Sequence, residues 1–243
     1  MIPKKIHYCW FGYNQKPQLA QKCIESWKKK CPKYEIIEWN EENFDIYSCP
    51  LYVQQAYESK MWAFVTDYAR LKIVYENGGI YMDTDVELKR SLNSLLKWNA
   101  YFGFEDGIHV ATGLGFGAEI KSPVVYEMMK IYDNLQFKLP DGTLNMLPCP
   151  KMNTTILLKY GLKQNNRKQI IGENILILPS YYLCPLSYST GEWNKSFKMI
   201  SIHWFSASWK DDKEEEQRWE MLKRQIKAKK MEKIDYVIHI PNR

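Results

Sequence analysis

The apolar run at residues 60–76 constrains the fold more than any other part of this 243-residue chain. Its apolar side chains cover most of the circumference of a helix, which predicts a helix buried in the interior. Ser59 is a suitable N-cap for this helix, and Asn77-Gly78 provides the C-cap. Such a helix requires a substantial core, which a chain of this length can form.

Two carboxylates follow this helix at once. Residues 80–85 (IYMDTD) are predicted as a strand introduced by Gly78-Gly79. In a strand, Asp83 and Asp85 point to the same side and lie roughly 6.5–7 Å apart along the axis. That spacing favours one acid that binds a metal ion directly and one that reaches a metal-bound water or a neighbouring hydroxyl. Two acids separated by one residue are also common at solvated strand ends. The surrounding sequence must therefore decide between a metal site and an exposed pair of acids.

The first forty residues predict a parallel strand–helix–strand unit. Residues 5–11 and 34–39 are rich in β-branched, aromatic and apolar side chains, and a helix opens at Pro17 between them. A connection this short and helical is typical of a βαβ crossover.

The later chain is predicted to be less regular. We expect strands at 100–104, 110–116, 175–178 and 199–205, and helices at 51–58, 123–136, 153–160 and 211–230, the last highly charged. Gly113, Gly115 and Gly117 alternate near the second of these strands, which suits a strand pressed against a ligand or another backbone. Since no repeat or linker is evident, the sequence predicts one α/β domain, mostly parallel early and irregular late.

Composition says more about the cellular compartment of the protein than about any reaction it catalyses. The formal net charge is +6, which permits anionic partners but selects none, and nothing else favours nucleic acid. The six cysteines lack zinc or Cys-x-x-Cys spacing and indicate a reducing compartment. No signal-peptide h-region and no run of ~18 apolar residues is present. We therefore expect a cytoplasmic protein, with peripheral membrane contact left open.

Several other polar or aromatic residues fall where a ligand site is expected, since ligands of open α/β sheets sit outside the carboxyl ends of the strands. Trp10, which ends the first strand, is either a core residue or a platform for a nucleobase. Asp67 and Arg70 are neighbours on the buried helix, either as a structural ion pair or as contacts to a phosphate or sugar. His203 is either a buried histidine bonded to backbone or, with Asp85, a ligand of Mg²⁺ or Mn²⁺.

Three blocks resemble a known family. Residues 64–85 resemble the DXD block of glycosyltransferases with the GT-A fold, most closely those of family 32: bacterial capsular and lipooligosaccharide transferases, yeast mannosyltransferases and, more distantly, clostridial glucosylating toxins. Residues 2–12 are similar to that family's opening block, and residues 202–209 to its closing block. The segment 107–196 carries little family signal.

The resemblance implies a GT-A fold, with a Rossmann-like, mostly parallel sheet flanked by helices and an irregular C-terminal part. It implies one domain over residues 1–243. Within it, 1–105 form the nucleotide-sugar-binding half, 106–210 the acceptor-side half, and 211–243 a charged helix and tail.

The resemblance also implies roles at matching positions. Trp10 would stack on the base of a nucleotide-sugar, Asp67 would accept hydrogen bonds from donor sugar hydroxyls, and Arg70 would lie beside the sugar or diphosphate. Asp83 would contact ribose or sugar and a metal-bound water, while Asp85 would bind the metal ion directly.

Three further residues belong to the closing block. His203 matches a position where GT-A enzymes often supply a second metal ligand. Ser208 and Trp209 would close over the diphosphate from a C-terminal loop.

The function implied is metal-dependent, retaining transfer of a hexose from a nucleotide-diphosphate sugar, preferably a UDP-sugar. The acceptor would be a glycan or lipid-linked saccharide in surface polysaccharide synthesis, and the ion Mn²⁺ or Mg²⁺. One alternative is a non-catalytic carbohydrate-binding protein that keeps the fold. The other is a phosphatase of the haloacid dehalogenase type, which would require Thr or Val where Glu87 stands.

Overall fold

The computed structural model describes residues 1–206 of the chain. The predicted helix 211–230, together with Ser208 and Trp209, lies outside the described residues. None of the helices in the described part is long and apolar enough to cross a membrane.

Strands and helices alternate through the first half and are shorter in the second. The strands of residues 1–206 are β1 Lys5–Cys9, β2 Glu35–Trp39, β3 Gly79–Tyr81, β4 Val86–Leu88, β5 Ala100–Phe104, β6 Val110–Ala111, β7 Phe116–Ala118, β8 Gln169–Ile171, β9 Ile175–Leu178 and β10 Ser201–His203. The α-helices are α1 Gln18–Lys30, α2 Leu51–Glu58, α3 Trp62–Asn77, α4 Pro123–Lys130, α5 Cys149–Lys159 and α6 Ser180–Leu183. Short 3₁₀ turns occur at Ile46–Ser48, Asn93–Leu95 and Ile131–Asn134.

Within residues 1–206 the main sheet runs β2-β1-β3-β7-β5-β9-β8, and β6 pairs with β5. β1 is parallel to both β2 and β3, as the strand–helix–strand pattern predicted. β3 and β5 are both antiparallel to β7, so they run in the same direction, and β9 is parallel to β5. The carboxyl ends of β1, β3, β5 and β9 therefore meet at one edge of the sheet.

Each face of the sheet is covered by a separate apolar layer. One layer contains the buried faces of α2, α3, α4 and α5, with side chains such as Tyr52, Leu71 and Met128. The other contains α1 with Trp27, and the small antiparallel sheet of β4 and β10 with Val86 and Ile202. This arrangement of helices about a central sheet confirms the predicted α/β fold class.

The helix α3 is buried as predicted, but its start differs from the expectation. Of its sixteen residues, eight are buried, including Val65, Leu71 and Val74. Ser59 is not its N-cap: that position belongs to Met61, and Ser59 instead ends α2. Gly78 ends α3 with a φ of 61°, which glycine adopts without strain.

Two strand predictions were wrong. Residues 80–85 are not one strand, because β3 ends at Tyr81 and the chain turns before β4. Residues 110–116 are also not one strand: β6 and β7 are separated by a turn at 112–115 that contains Gly113. In both places a tight turn replaces the extended backbone that apolar residues had suggested.

A fully buried histidine, His7 on β1, holds the first strands together. Its Nδ1 lies 3.1 Å from the indole Nε1 of Trp39 on β2, and its Nε2 lies 2.9 Å from the carbonyl oxygen of Gly78. Because an indole nitrogen only donates, Nδ1 is the acceptor and the proton sits on Nε2, which donates to Gly78. Burial lowers the pKa of His7 to about 4, so the ring is neutral near pH 7.

We expect His7 to make stability depend on pH. The unfolded chain protonates this residue near pH 6.5 and the folded chain only near pH 4, so protons favour unfolding between these values. The free energy of unfolding should therefore fall by about 3 kcal/mol between pH 7 and pH 4 through this residue. Urea denaturation at both pH values should show a smaller difference for His7→Gln than for wild type; equal differences would exclude His7 as the source.

Candidate active site

The buried helix α3 presents an ion pair toward the edge where β3 ends. Arg70 donates from Nη2 to Oδ1 of Asp67 at 2.6 Å and from Nε to the carbonyl oxygen of Thr66 at 3.1 Å. Its Nη1 lies 3.6 Å from Oδ2 of Asp83, and its guanidinium lies 5.3 Å from the ring centre of Tyr81. Arg70 thus links the two acids that the sequence singled out on α3 and after β3.

The guanidinium of Arg70 stays protonated in this buried position. Burial lowers the pKa of Arg70, but the carboxylates of Asp83 and Asp67 outweigh burial and raise that pKa well above its ordinary value. A charged guanidinium in this position can orient both carboxylates or face an anionic ligand.

Arg70→Met should destabilise the protein strongly, because it leaves Asp67 with a buried charge and no cation beside it. Removing one partner of a buried pair costs about 3–5 kcal/mol. Lys72→Met on the same helix is the matched control, since the Lys72–Glu76 pair is more exposed and should contribute less than about 1 kcal/mol. Urea denaturation measures both; similar losses for the two variants would contradict a buried role for Arg70.

The two DXD acids lie in a turn rather than a strand. The backbone N–H of Val86 donates to the carbonyl oxygen of Asp83 at 3.0 Å, which closes a four-residue turn. The spacing of roughly 6.5–7 Å expected for a strand therefore does not apply. Instead, the turn folds Asp85 back beside Asp83, so both carboxylates can approach one point.

His203 is brought to this turn by strand pairing. β10 lies antiparallel to β4, with His203 opposite Val86. Nε2 of His203 lies 3.0 Å from Oδ1 of Asp85. The other carboxylate oxygen, Oδ2, accepts from the backbone N–H of Ser206 at 2.7 Å and from its hydroxyl at 3.0 Å. The two oxygens of Asp85 are thus oriented by separate partners.

The surroundings of Asp85 and His203 favour the charged form of each group. Burial alone would raise the pKa of Asp85, but His203 and the two donors of Ser206 outweigh it and hold that pKa well below its ordinary range. Burial would likewise lower the pKa of His203, yet the carboxylate of Asp85 raises it. Within residues 1–206, Nδ1 of His203 is buried without a hydrogen-bond partner.

The donor set suits a divalent cation. One ligand atom each from Asp83, Asp85 and His203 can be chosen so that all lie within 4.8 Å of one another. Two carboxylates and one imidazole match the preferences of Mn²⁺, and of Mg²⁺ less closely because of the nitrogen. Asp85 and His203 could hold such a cation with His203 in its neutral form, because a histidine that binds a metal must be deprotonated.

Gly113 lies against this site at a distance that only glycine permits. A Cβ at this position would stand 2.2 Å from Oδ2 of Asp83 and 2.9 Å from Nη1 of Arg70. The carbonyl oxygen of Gly113 also accepts from the backbone N–H of Asp83 at 3.2 Å. The close approach expected along the glycine-rich segment occurs at Gly113, but in a turn and against the side chain of Asp83, not in a strand against a ligand or another backbone.

Trp10 directly follows β1 and lies at the same edge of the sheet. It is partly buried, its Nε1 donates to the carbonyl oxygen of Asn14 at 2.6 Å, and the ammonium of Lys16 lies 5.8 Å from its ring centre. Part of the ring thus remains accessible, and its stacking on a base stays a prediction.

Sequence reasoning missed three partners of the acids. Tyr81 donates its hydroxyl to Oδ1 of Asp83 at 3.0 Å, Ser206 binds Asp85, and Gly113 leaves space for Asp83. The contact between Tyr81 and Asp83 could have been predicted from the sequence, since residues two apart can lie on the same side of an extended chain. Ser206 lies 121 positions from Asp85, so only the folded chain reveals that contact.

Comparison with known proteins agrees with this geometry. Residues 17–102, which include α3 and the DXD turn, match the family described as the glycosyltransferase sugar-binding region containing a DXD motif. A solved structure named PaToxG Glycosyltransferase shares the fold with a TM-score of 0.50 at 17% identity, over 65% of this chain and 69% of that one.

Two relatives match part of the sequence. Inositol phosphoceramide mannosyltransferase 3 of Schizosaccharomyces pombe is 32% identical over 108 residues, which is 41% of this chain and 29% of that protein. Subversion of eukaryotic traffic protein A of Legionella pneumophila is 29% identical over 111 residues, which is 35% of this chain and 17% of that protein. The chain thus spans less than a third of either relative's length.

The family match over residues 17–102 confirms the resemblance to the family 32 group and argues against the phosphatase alternative. The acids of the matched motif are those that converge with Arg70 and His203 at the sheet edge. Over residues 17–102 the chain is thus similar to the glycosyltransferases whose sugar-binding region contains a DXD motif.

Proposed function

We propose that this protein transfers a hexose from a nucleotide-diphosphate sugar with the help of a divalent cation, Mn²⁺ or Mg²⁺, held by Asp85, His203 and Asp83. The convergence of these three side chains within 4.8 Å is the observation that carries the proposal. The ion, when bound, neutralises the charge that develops on the departing diphosphate.

The protein's own residues would position the donor around this point. Arg70, held by Asp67, would present a fixed positive charge beside the sugar or diphosphate. Asp67 and Asp83 would accept hydrogen bonds from sugar or ribose hydroxyls. Trp10 would support the base. Ser208 and Trp209, outside the described residues, would cover the diphosphate, as the family resemblance suggests.

The division of labour between Asp83 and Asp85 remains part of the proposal. Asp85 would bind the ion directly, because Ser206 fixes one of its oxygens and leaves the other toward His203. Asp83 would act from its position between Arg70 and Tyr81, either on a metal-bound water or on a ribose or sugar hydroxyl.

The substrates follow from resemblance alone. We favour a UDP-hexose, with retention of anomeric configuration, and a glycan or lipid-linked saccharide acceptor in surface polysaccharide synthesis. The name of the yeast relative, an inositol phosphoceramide mannosyltransferase, supports a lipid-linked acceptor and keeps a mannosyl donor under consideration. Residues 1–105 would bind the donor and 106–210 the acceptor, in a cytoplasmic protein with peripheral contact to the inner membrane.

Release of nucleoside diphosphate tests this proposal. Purified full-length protein should release UDP or GDP slowly from one member of a panel of UDP- and GDP-hexoses, and only with Mn²⁺ or Mg²⁺ present. Addition of EDTA should stop the release, and excess Mn²⁺ should restore it. Release that is equal with and without the ion would contradict the metal role, and no release from any donor would contradict the transferase role.

A further inference from the structure

Glu105 is a carboxylate at the active-site edge with no assigned role. It directly follows the last residue of β5, as Asp83 closely follows the end of β3. Since β3 and β5 run in the same direction on either side of β7, both strands deliver their following residues to the same edge. Two strand spacings separate them, about 10 Å between backbones, which leaves space between the side chains.

Glu105 differs from its acidic neighbours because its carboxylate has no partner in the described part of the chain. Asp67 is paired with Arg70, Asp85 with His203, and Asp106 with His109 at 2.9 Å. Within residues 1–206, no hydrogen bond or ion pair to the Glu105 carboxylate occurs; only its backbone N–H is engaged, by the carbonyl oxygen of His109 at 2.9 Å. The backbone at the end of β5 is thus fixed by a hydrogen bond, while the carboxylate of Glu105 can accept one from a ligand.

The surroundings of Glu105 connect it to the proposed metal site. Burial raises the pKa of Glu105, while the nearby His203 and His109 act in the opposite direction and Asp83 adds to the rise. Its side chain is therefore close enough to His203 and Asp83 to sense their charges. The side chain of Glu105 is only partly buried, so a ligand that enters the site can reach its carboxylate.

The position of Glu105 indicates which ligand that is. If Trp10 supports the base as proposed, the nucleotide lies toward β1 and β2, and Glu105 after β5 lies on the other side of β3 in the sheet order. We infer that Glu105 accepts a hydrogen bond from the attacking hydroxyl group of the acceptor and holds it beside the donor sugar. This inference rests on the proposed transferase function and adds a residue for the acceptor side.

Glu105→Gln tests the inference without knowledge of the acceptor, because water takes the acceptor's place when a nucleotide-sugar is hydrolysed. The variant keeps an oxygen that can accept, but a neutral amide makes a weaker hydrogen bond than a carboxylate, so the maximal rate of Mn²⁺-dependent hydrolysis should fall by about tenfold. The Kd for UDP or GDP with Mn²⁺, measured by calorimetry, should stay within about twofold of wild type. Glu105→Asp should recover part of the rate.

Asp106→Asn is the matched control, since Asp106 lies next in the same loop but pairs with His109. Its hydrolysis rate should equal that of wild type. An unchanged rate in Glu105→Gln would overturn the inference, and so would a nucleotide Kd that weakens in parallel with the rate, which would place Glu105 on the donor side. A wild-type protein that hydrolyses no donor would instead overturn the proposed function, and the inference with it.

Discussion

Asp85→Asn is expected to lower metal-dependent release of nucleoside diphosphate by at least about 10³-fold, equivalent to about 4 kcal/mol of transition-state stabilisation. The substitution keeps the size of the side chain, and its amide oxygen can still accept from Ser206. It removes the negative charge that faces His203 and that a cation would neutralise. The loss should therefore be chemical and not structural.

Two measurements separate these causes. Calorimetry with Mn²⁺ should show a Kd weakened by at least tenfold in Asp85→Asn, while circular dichroism should stay that of wild type. Asp141→Asn is the matched control, because Asp141 lies in an exposed turn, where its carboxylate accepts from the backbone N–H and the hydroxyl of Thr143. Metal-stimulated turnover in Asp85→Asn equal to that of the control would remove Asp85 from the metal site.

The sequence predicted those parts of the fold in which local pattern and tertiary environment agree. The apolar helix α3, the parallel pair β1 and β2 and the helix between them were all predicted from periodicity. In these segments the burial of a side chain depends mainly on its position in its own helix or strand. The spacing of apolar residues is therefore enough to predict the type of element.

Prediction failed where a turn is fixed by distant contacts. Ile80 and Tyr81 favour a strand, whereas Asp83 and Asp85 are of a residue type that strands disfavour, so the local sequence could indicate where β3 ends but not the geometry of the turn. The turn at Asp83 forms because Val86 must leave the main sheet to pair with β10, a strand more than a hundred residues later. Turn geometry of this kind depends on tertiary pairing, and so does the meeting of Asp85 with His203.

The candidate site was predicted as a set of residues but not as a geometry. The sequence singled out Asp67, Arg70, Asp83, Asp85 and His203, and all five lie in one connected network. Their partners were missed where the contact comes from a distant loop or from the absence of a side chain, as at Gly113.

Gly113→Ala is expected to lower nucleotide-sugar turnover by about 10²-fold, because it moves Asp83 without altering any acidic residue. The φ of Gly113 is one that alanine tolerates, so its effect is steric. The new methyl group would lie 2.2 Å from Oδ2 and 3.2 Å from Cγ of Asp83, so this carboxylate must rotate away from Arg70 and Tyr81. Gly107→Ala is the matched control, since nothing lies within 4 Å of its added Cβ.

The effect of Gly113→Ala should depend on Asp83, and a double-mutant cycle can show this. When Asp83 is first replaced by alanine, Gly113→Ala has only the flexible end of Arg70 left to displace, 2.9 Å away. It should then change turnover by less than about threefold, against about 10²-fold in the wild-type background. If the two losses simply multiply, Gly113 acts through the loop backbone, and the close packing against Asp83 is not the reason that glycine is required there.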